Sequence, residues 1–182
     1  MRKRTLANLV APALLAAGYL LFPAAIRAAV PQDSPEITKL LADAKAEAYE
    51  LKADSEDLNS FVSSKLSWQS HATKIDMIKD HVNATGKMLA KLKDVEALGS
   101  PWQKEAIARI EPLLKELAHN TEATINYLGE NKDKIHFPEF RDYVKANYEL
   151  ATDLEALIRD FANYGETKGK LERLRDRLEV TG

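Results

Sequence analysis

The sequence predicts an all-α protein, an antiparallel up-down four-helix bundle with a short C-terminal helix or extension, following an N-terminal signal peptide. Three observations predict it. Beyond residue 34, apolar residues recur at steps of three and four, which is the spacing of one helix face. Glycine and proline number only seven each in 182 residues, too few turn-formers for an all-β sandwich. Those that do occur, with clusters of serine, cut the chain into segments of nearly equal length.

Residues 1–28 read as a secretory signal peptide. Arg2, Lys3 and Arg4 form a short positive region, residues 6–25 carry no charge, and Arg27 ends the run. That order of charge and apolar run is the pattern of a secretory leader. Cleavage after Ala28 puts Ile26 and Ala28 at the two small-residue positions, the first an imperfect fit. The competing reading is a retained anchor, because roughly 20 apolar residues span a bilayer. Pro12, Gly18 and Pro23 weaken that run as a helix. Both readings place the working domain outside the cytoplasm. A linker, 29–34, leads into one bundle domain, 35–182.

Ser34-Pro35-Glu36 opens the first helix: serine caps, proline fits the first turn, and the acid favours the positive end. Its stripe is Ile37, Leu41, Ala44, Ala48, Leu51, Leu58 and Val62, with Ser55 as a soft spot. Eight acids against Lys39, Lys45 and Lys52 make the outer face over 33–57 acidic. The phase of the stripe changes at 63–67. A tight turn is favoured there over one helix of about 60 residues, since serines compete for backbone hydrogen bonds and a lone helix buries nothing. The second stripe runs Trp68, His71, Ile75, Ile78, Val82, Thr85, Leu89 and Leu92. Gly99-Ser100-Pro101 is the clearest break, with Pro101 in the first turn of the third helix and Trp102 packing over its opening. That helix carries Ile107, Ile110, Leu114, Leu117, Thr121, Thr124 and Leu128, and Pro112 inside it predicts a kink. Residues 129–136 connect to a fourth stripe: Phe140, Val144, Asn147, Ala151, Leu154, Ile158 and Phe161.

The segments 35–63, 68–98, 101–129 and 137–164 are each about 40 Å long at about 1.5 Å per residue. Equal lengths and short connections are what an up-down bundle needs. Gly165 and Gly169 are expected to interrupt or bend the end of the fourth helix. The tail 166–180, with Leu171, Leu174 and Leu178 among many charges, is then either a cap or a continuation.

Composition excludes several activities. There is no cysteine, hence no disulfide, thiol catalysis, iron–sulfur ligation or covalent c-type haem. The formal charge is -2. Loss of residues 1–28 removes four basic residues and no acid, leaving 22 basic against 28 acidic, a net of -6. That balance predicts no nucleic-acid partner. There is no glycine-rich phosphate loop, Gly-x-Ser-x-Gly or His-Glu-x-x-His. No catalytic residue, metal ligand set or cofactor is predicted. Glu116 with His119 is one Glu-x-x-His pair, where a di-iron bundle needs two. His81 is expected at the level of His119, both as rim histidines.

If a ligand site exists, the aromatic end of the bundle is where it is expected. His71 lies on the apolar seam with Trp68, and that end also receives Phe61, Tyr127, Phe137 and Phe140. The candidate ligand-binding residues are Trp68, His71, Tyr127, His136 and Phe140, and the candidate structural residues are Pro101, Trp102, Pro112 and Asn147. A structural reading of the same cluster has His71 and Trp68 donating hydrogen bonds within packed rings. Asn147 on a core seam is expected to fix register.

The runs Ser67-Trp68-Gln69-Ser70-His71-Ala72, His81-Val82-Asn83, Ser100-Pro101-Trp102-Gln103 and Glu111-Pro112-Leu113-Leu114 are distinctive in combination. So is Asp160-Phe161-Ala162-Asn163-Tyr164-Gly165-Glu166-Thr167-Lys168. Together they resemble a group of exported, all-helical bacterial proteins of acidobacterial type. The resemblance implies bacterial origin and export and carries no activity. The expected function is a non-catalytic, structural or protein-binding bundle, periplasmic or extracellular, with a protein partner or a second copy. Membrane contact is expected only through the N-terminal segment, where that is retained. The alternative is a small-ligand or metal binder at the His71 end.

Overall fold

A computed structural model describes residues 32–179. The expected signal peptide and the first half of the linker, 29–31, lie outside the described residues. Four helices follow in order: α1 (Pro35–Phe61), α2 (Trp68–Asp94), α3 (Pro101–Glu130) and α4 (Pro138–Glu179), with a short 3-10 turn, Glu96–Leu98, between α2 and α3. Each helix packs on the ones before and after it, and α1 packs on α4, closing a four-membered ring. The chain direction alternates. Phe61 ends α1 beside His71 near the start of α2, and Phe140 near the start of α4 touches the same ring. At the other end, Gln103 of α3 meets Ser34 at the start of α1.

The helices start where side chains satisfy their free amides. Ser34 and Ser67 accept from the backbone N–H of Ile37 and Ser70 respectively. Ser64 Oγ donates to the Phe61 carbonyl at 2.6 Å, so the serine cluster at 63–67 makes the predicted turn. Pro101 takes the first turn of α3. Pro112 lies inside α3 without ending it, because the packed face holds the helix across one lost hydrogen bond.

The stripes read from the sequence meet in one core. Leu41, Leu51, Ile78, Leu92, Ile107, Ile110, Leu117, Leu154 and Ile158 are essentially inaccessible to solvent. Each such side chain stabilises the fold by about 1.5–3 kcal/mol relative to exposure. Ser55 is fully buried but not unpaired, since its hydroxyl donates to the Leu51 carbonyl at 2.8 Å.

The tail is a continuation of the fourth helix and not a separate cap. Gly165 and Gly169 do not interrupt α4, which runs unbroken for 42 residues. A helical glycine costs only about 1 kcal/mol against alanine, and the packing of Gly165 described below offsets that. The four helices are therefore unequal. α1 and α2 have 27 residues, α3 has 30, and α4 continues past the bundle. Residues 170–179 are all exposed.

Candidate functional site

The end where α1 and α3 finish and α2 and α4 begin holds the predicted aromatic cluster. His71 is 1% exposed. Its Nδ1 donates to the Ser67 carbonyl at 2.9 Å, and the Phe61 and Phe140 rings meet it edge-on at 5.9 and 5.6 Å between centroids. Tyr127 stacks on Phe140 at 6.1 Å, and burial pushes its phenol up. His71, Tyr127 and Phe140 therefore come together as expected. His71 Nε2 is buried without a hydrogen-bond partner.

The other two candidates stand apart. Trp68 is half-buried in a shallow groove of about 190 Å³ lined by Ile75, Ile125 and Leu128. Lys132 lies over its ring at 4.6 Å. His136 is exposed in the α3–α4 connection. Phe137, expected in the cluster, is 51% exposed. Both precede the first residue of α4, whose inward stripe begins only with Phe140; of the connection, Ile135 is the residue that turns into the core, and His136 and Phe137 are left in solvent.

Asn147 is 1% exposed and fully engaged. Its Oδ1 accepts from Thr121 Oγ1 at 2.8 Å. Its Nδ2 donates to Thr124 Oγ1 at 2.7 Å and to the Tyr143 carbonyl at 3.1 Å. This network ties α4 to α3 at one register.

The opposite end carries a second polar cluster. Gln103 is fully buried. Its Oε1 accepts from the backbone N–H of Ser34 at 2.9 Å and of Ser100 at 3.0 Å. Its Nε2 donates to the Ser34 carbonyl at 2.8 Å and Thr38 Oγ1 at 3.0 Å. One side chain thus clamps the starts of α1 and α3. The Ser-x-x-Gln spacing of Ser100 and Gln103 is a sequence signal for such a capping residue. Asp33 Oδ1 accepts from Trp102 Nε1 and from Lys168 Nζ, both at 2.7 Å. Burial opposes its charge, but these hydrogen bonds, led by Lys168, hold the Asp33 carboxyl below its ordinary range. Trp102 also meets Tyr164 edge-on at 5.1 Å. It packs across to α4 as well as over the opening of α3.

A third cluster joins α1 to α2. Lys74 Nζ donates to Asp54 at 2.9 Å and to Asp57 at 3.1 Å. Burial opposes the charge on Lys74, and the two carboxylates outweigh it and raise its pKa. His81 Nδ1 donates to Glu47, while Nε2 lies 3.3 Å from Asp54 Oδ2. That second approach lacks hydrogen-bond alignment, and Asp54 Oδ2 has no hydrogen-bond partner. His81 therefore faces α1 across its seam, and His119 is exposed on α3. Glu47 and Asp54 lie seven residues apart, as do Lys74 and His81, but pairing them requires the register between two helices.

Among the described residues, no group of three or more histidines and acids is placed to hold a metal ion, and no helix is long and apolar enough to cross a membrane. The buried polar groups at these three clusters bond mainly to one another and to backbone. No family model matches the chain, and neither the curated proteins nor the solved structures contain a significant match to it.

Proposed function

We propose that this chain is an exported, non-catalytic helical bundle that acts as a structural or protein-binding element outside the cytoplasm. The observation that carries the reading is where its buried and half-buried polar groups are engaged. Gln103 clamps two helix starts, Asn147 ties two seams, and Lys74 bridges two carboxylates. Acid–base catalysis needs such groups to converge on an open reacting position instead. Export rests on the positive region at residues 2–4 and the uncharged run at 6–25. The resemblance to exported acidobacterial-type bundles supports the same destination.

One observation favours the alternative of a small-ligand site: the buried, unpaired Nε2 of His71. The two readings part in native mass spectrometry of the protein purified from its own envelope, followed by denaturation of the same sample. The structural reading expects a chain, or an assembly of chains and partner proteins, with no small-molecule mass. A retained ion or molecule lost in His71→Ala would establish the ligand reading.

A further inference from the structure

The part of α4 beyond the bundle is an amphipathic helix with a specific charge order. Residues 170–179 are all exposed, at about 1.5 Å per residue a projection of about 15 Å. Leu171 and Leu174 are 66% and 49% exposed and lie on one face, and Leu178, 72% exposed, continues it. By helical spacing, Arg175 borders this stripe on one side, where it pairs with Glu179 at 2.8 Å, and Lys170 and Arg177 border it on the other. Glu172 and Asp176 fall on the far side with Arg173. Residues 168–179 hold five basic against three acidic residues, in a chain whose total is acidic.

This charge order selects the occupant. In a coiled coil the residues flanking the leucine seam face their counterparts on the partner. Two copies of this helix would set Lys170 against Arg175 in parallel, or against Arg177 in antiparallel, so self-pairing is opposed by like charge. Cations nearest an apolar stripe, with two of the three acids on the polar far face, suit a helix lying in a bilayer interface. Its leucines enter the acyl boundary, and the long basic side chains reach anionic headgroups.

The position of the projection in the fold gives independent support. Asp33, just before α1, is bonded to Lys168 at 2.7 Å, at the root of the projection. The uncharged run ends at Ile26, seven residues earlier. Seven residues reach at most about 25 Å, more than the length of the projection. Where that run is retained in a bilayer, the leucine face starts within reach of the same surface.

We propose that the C-terminal projection of α4 docks on an anionic lipid surface through Leu171, Leu174 and Leu178, with Lys170, Arg175 and Arg177 at the headgroups. The proposal does not depend on the role of the bundle itself.

The chain has no cysteine, so one introduced thiol is a unique label site. Full-length Leu174→Cys and Asp176→Cys each carry an environment-sensitive fluorophore and are mixed with vesicles of phosphatidylglycerol or of phosphatidylcholine. Both positions are exposed, and unchanged helical circular dichroism verifies that the fold is kept. The expected result is a blue shift and quenching by acyl-chain spin labels at 174 but not 176. The effect should be several-fold stronger on phosphatidylglycerol and reversed by salt. Equal water exposure at 174 and 176 on phosphatidylglycerol would overturn the proposal. So would shielding at 174 that needs no vesicles and grows with protein concentration, which would assign the stripe to the acidic α1 face of a second copy.

Discussion

Gly165 of α4 lies directly against Trp102 of α3: a Cβ added at Gly165 would stand 2.8 Å from Cη2 of the indole. The indole is rigid, held by Asp33 through Nε1 and by the Tyr164 ring. It has little freedom to retreat.

Gly165→Ala should therefore destabilise the bundle. Alanine gains about 1 kcal/mol of helix propensity, but overpacking against a fixed ring costs about 1–3 kcal/mol. A net loss of about 1 kcal/mol is expected in urea unfolding. Gly86→Ala is the control, since nothing lies within 4 Å of its added Cβ. It should stabilise α2 by about 0.5–1 kcal/mol.

Asn147→Leu should cost about 1–3 kcal/mol. It leaves the buried Thr121 hydroxyl without its acceptor. Thr124 keeps its bond to the Asn120 carbonyl at 2.7 Å. Adding Thr121→Val removes the stranded donor, so the double variant should recover part of the loss. A double-mutant cycle from chemical denaturation measures that coupling.

His71→Ala should cost about 2–4 kcal/mol, because it opens a cavity between Phe61 and Phe140. His136→Ala, in the exposed connection, should change stability by less than about 0.5 kcal/mol. Equal losses in the two thermal melts would contradict the placement of the two histidines.

Asp33 gives the acid limb of stability a defined sign. Its folded pKa is lowered from 3.8, so its contribution is complete above that ordinary value and is lost as pH falls through the folded one. Lys168 is the mirror case. Asp33 raises its pKa from 10.5, and its share is kept below that value and lost as pH rises through the folded one. Asp33→Asn should lower Tm at neutral pH and flatten the fall in Tm between about pH 4 and 2. A melt series over that window checks both.

The aromatic end shows how far a stripe can be read. His71 and Phe140 fell on their helix faces by spacing alone, and both are buried. Tyr127 joined them because α3 ends at that level. Phe137 and His136 were assigned to the same end by nearness in sequence, which carries no direction once the chain leaves a helix. The polar clamps were less legible. Gln103 lies four residues before Ile107, in phase with the α3 stripe, but its role as a clamp follows only from the meeting of two helix starts. Glu47, Asp54, Lys74 and His81 look like ordinary surface charges until α1 and α2 fix a register.

The sequence by itself determined the helical class, the number of helices, the turn at 63–67 and most of the core. These depend on local spacing and on backbone preferences of serine, glycine and proline, which act over a few residues. Tertiary structure alone decided that Gly165 sustains a helix. Its missing side chain makes room for Trp102, 63 residues earlier in the chain. The same packing carries α4 past the bundle and leaves Leu171 and Leu174 exposed. Whether a stripe is covered depends on where the neighbouring helices stop, and no single stripe contains that length.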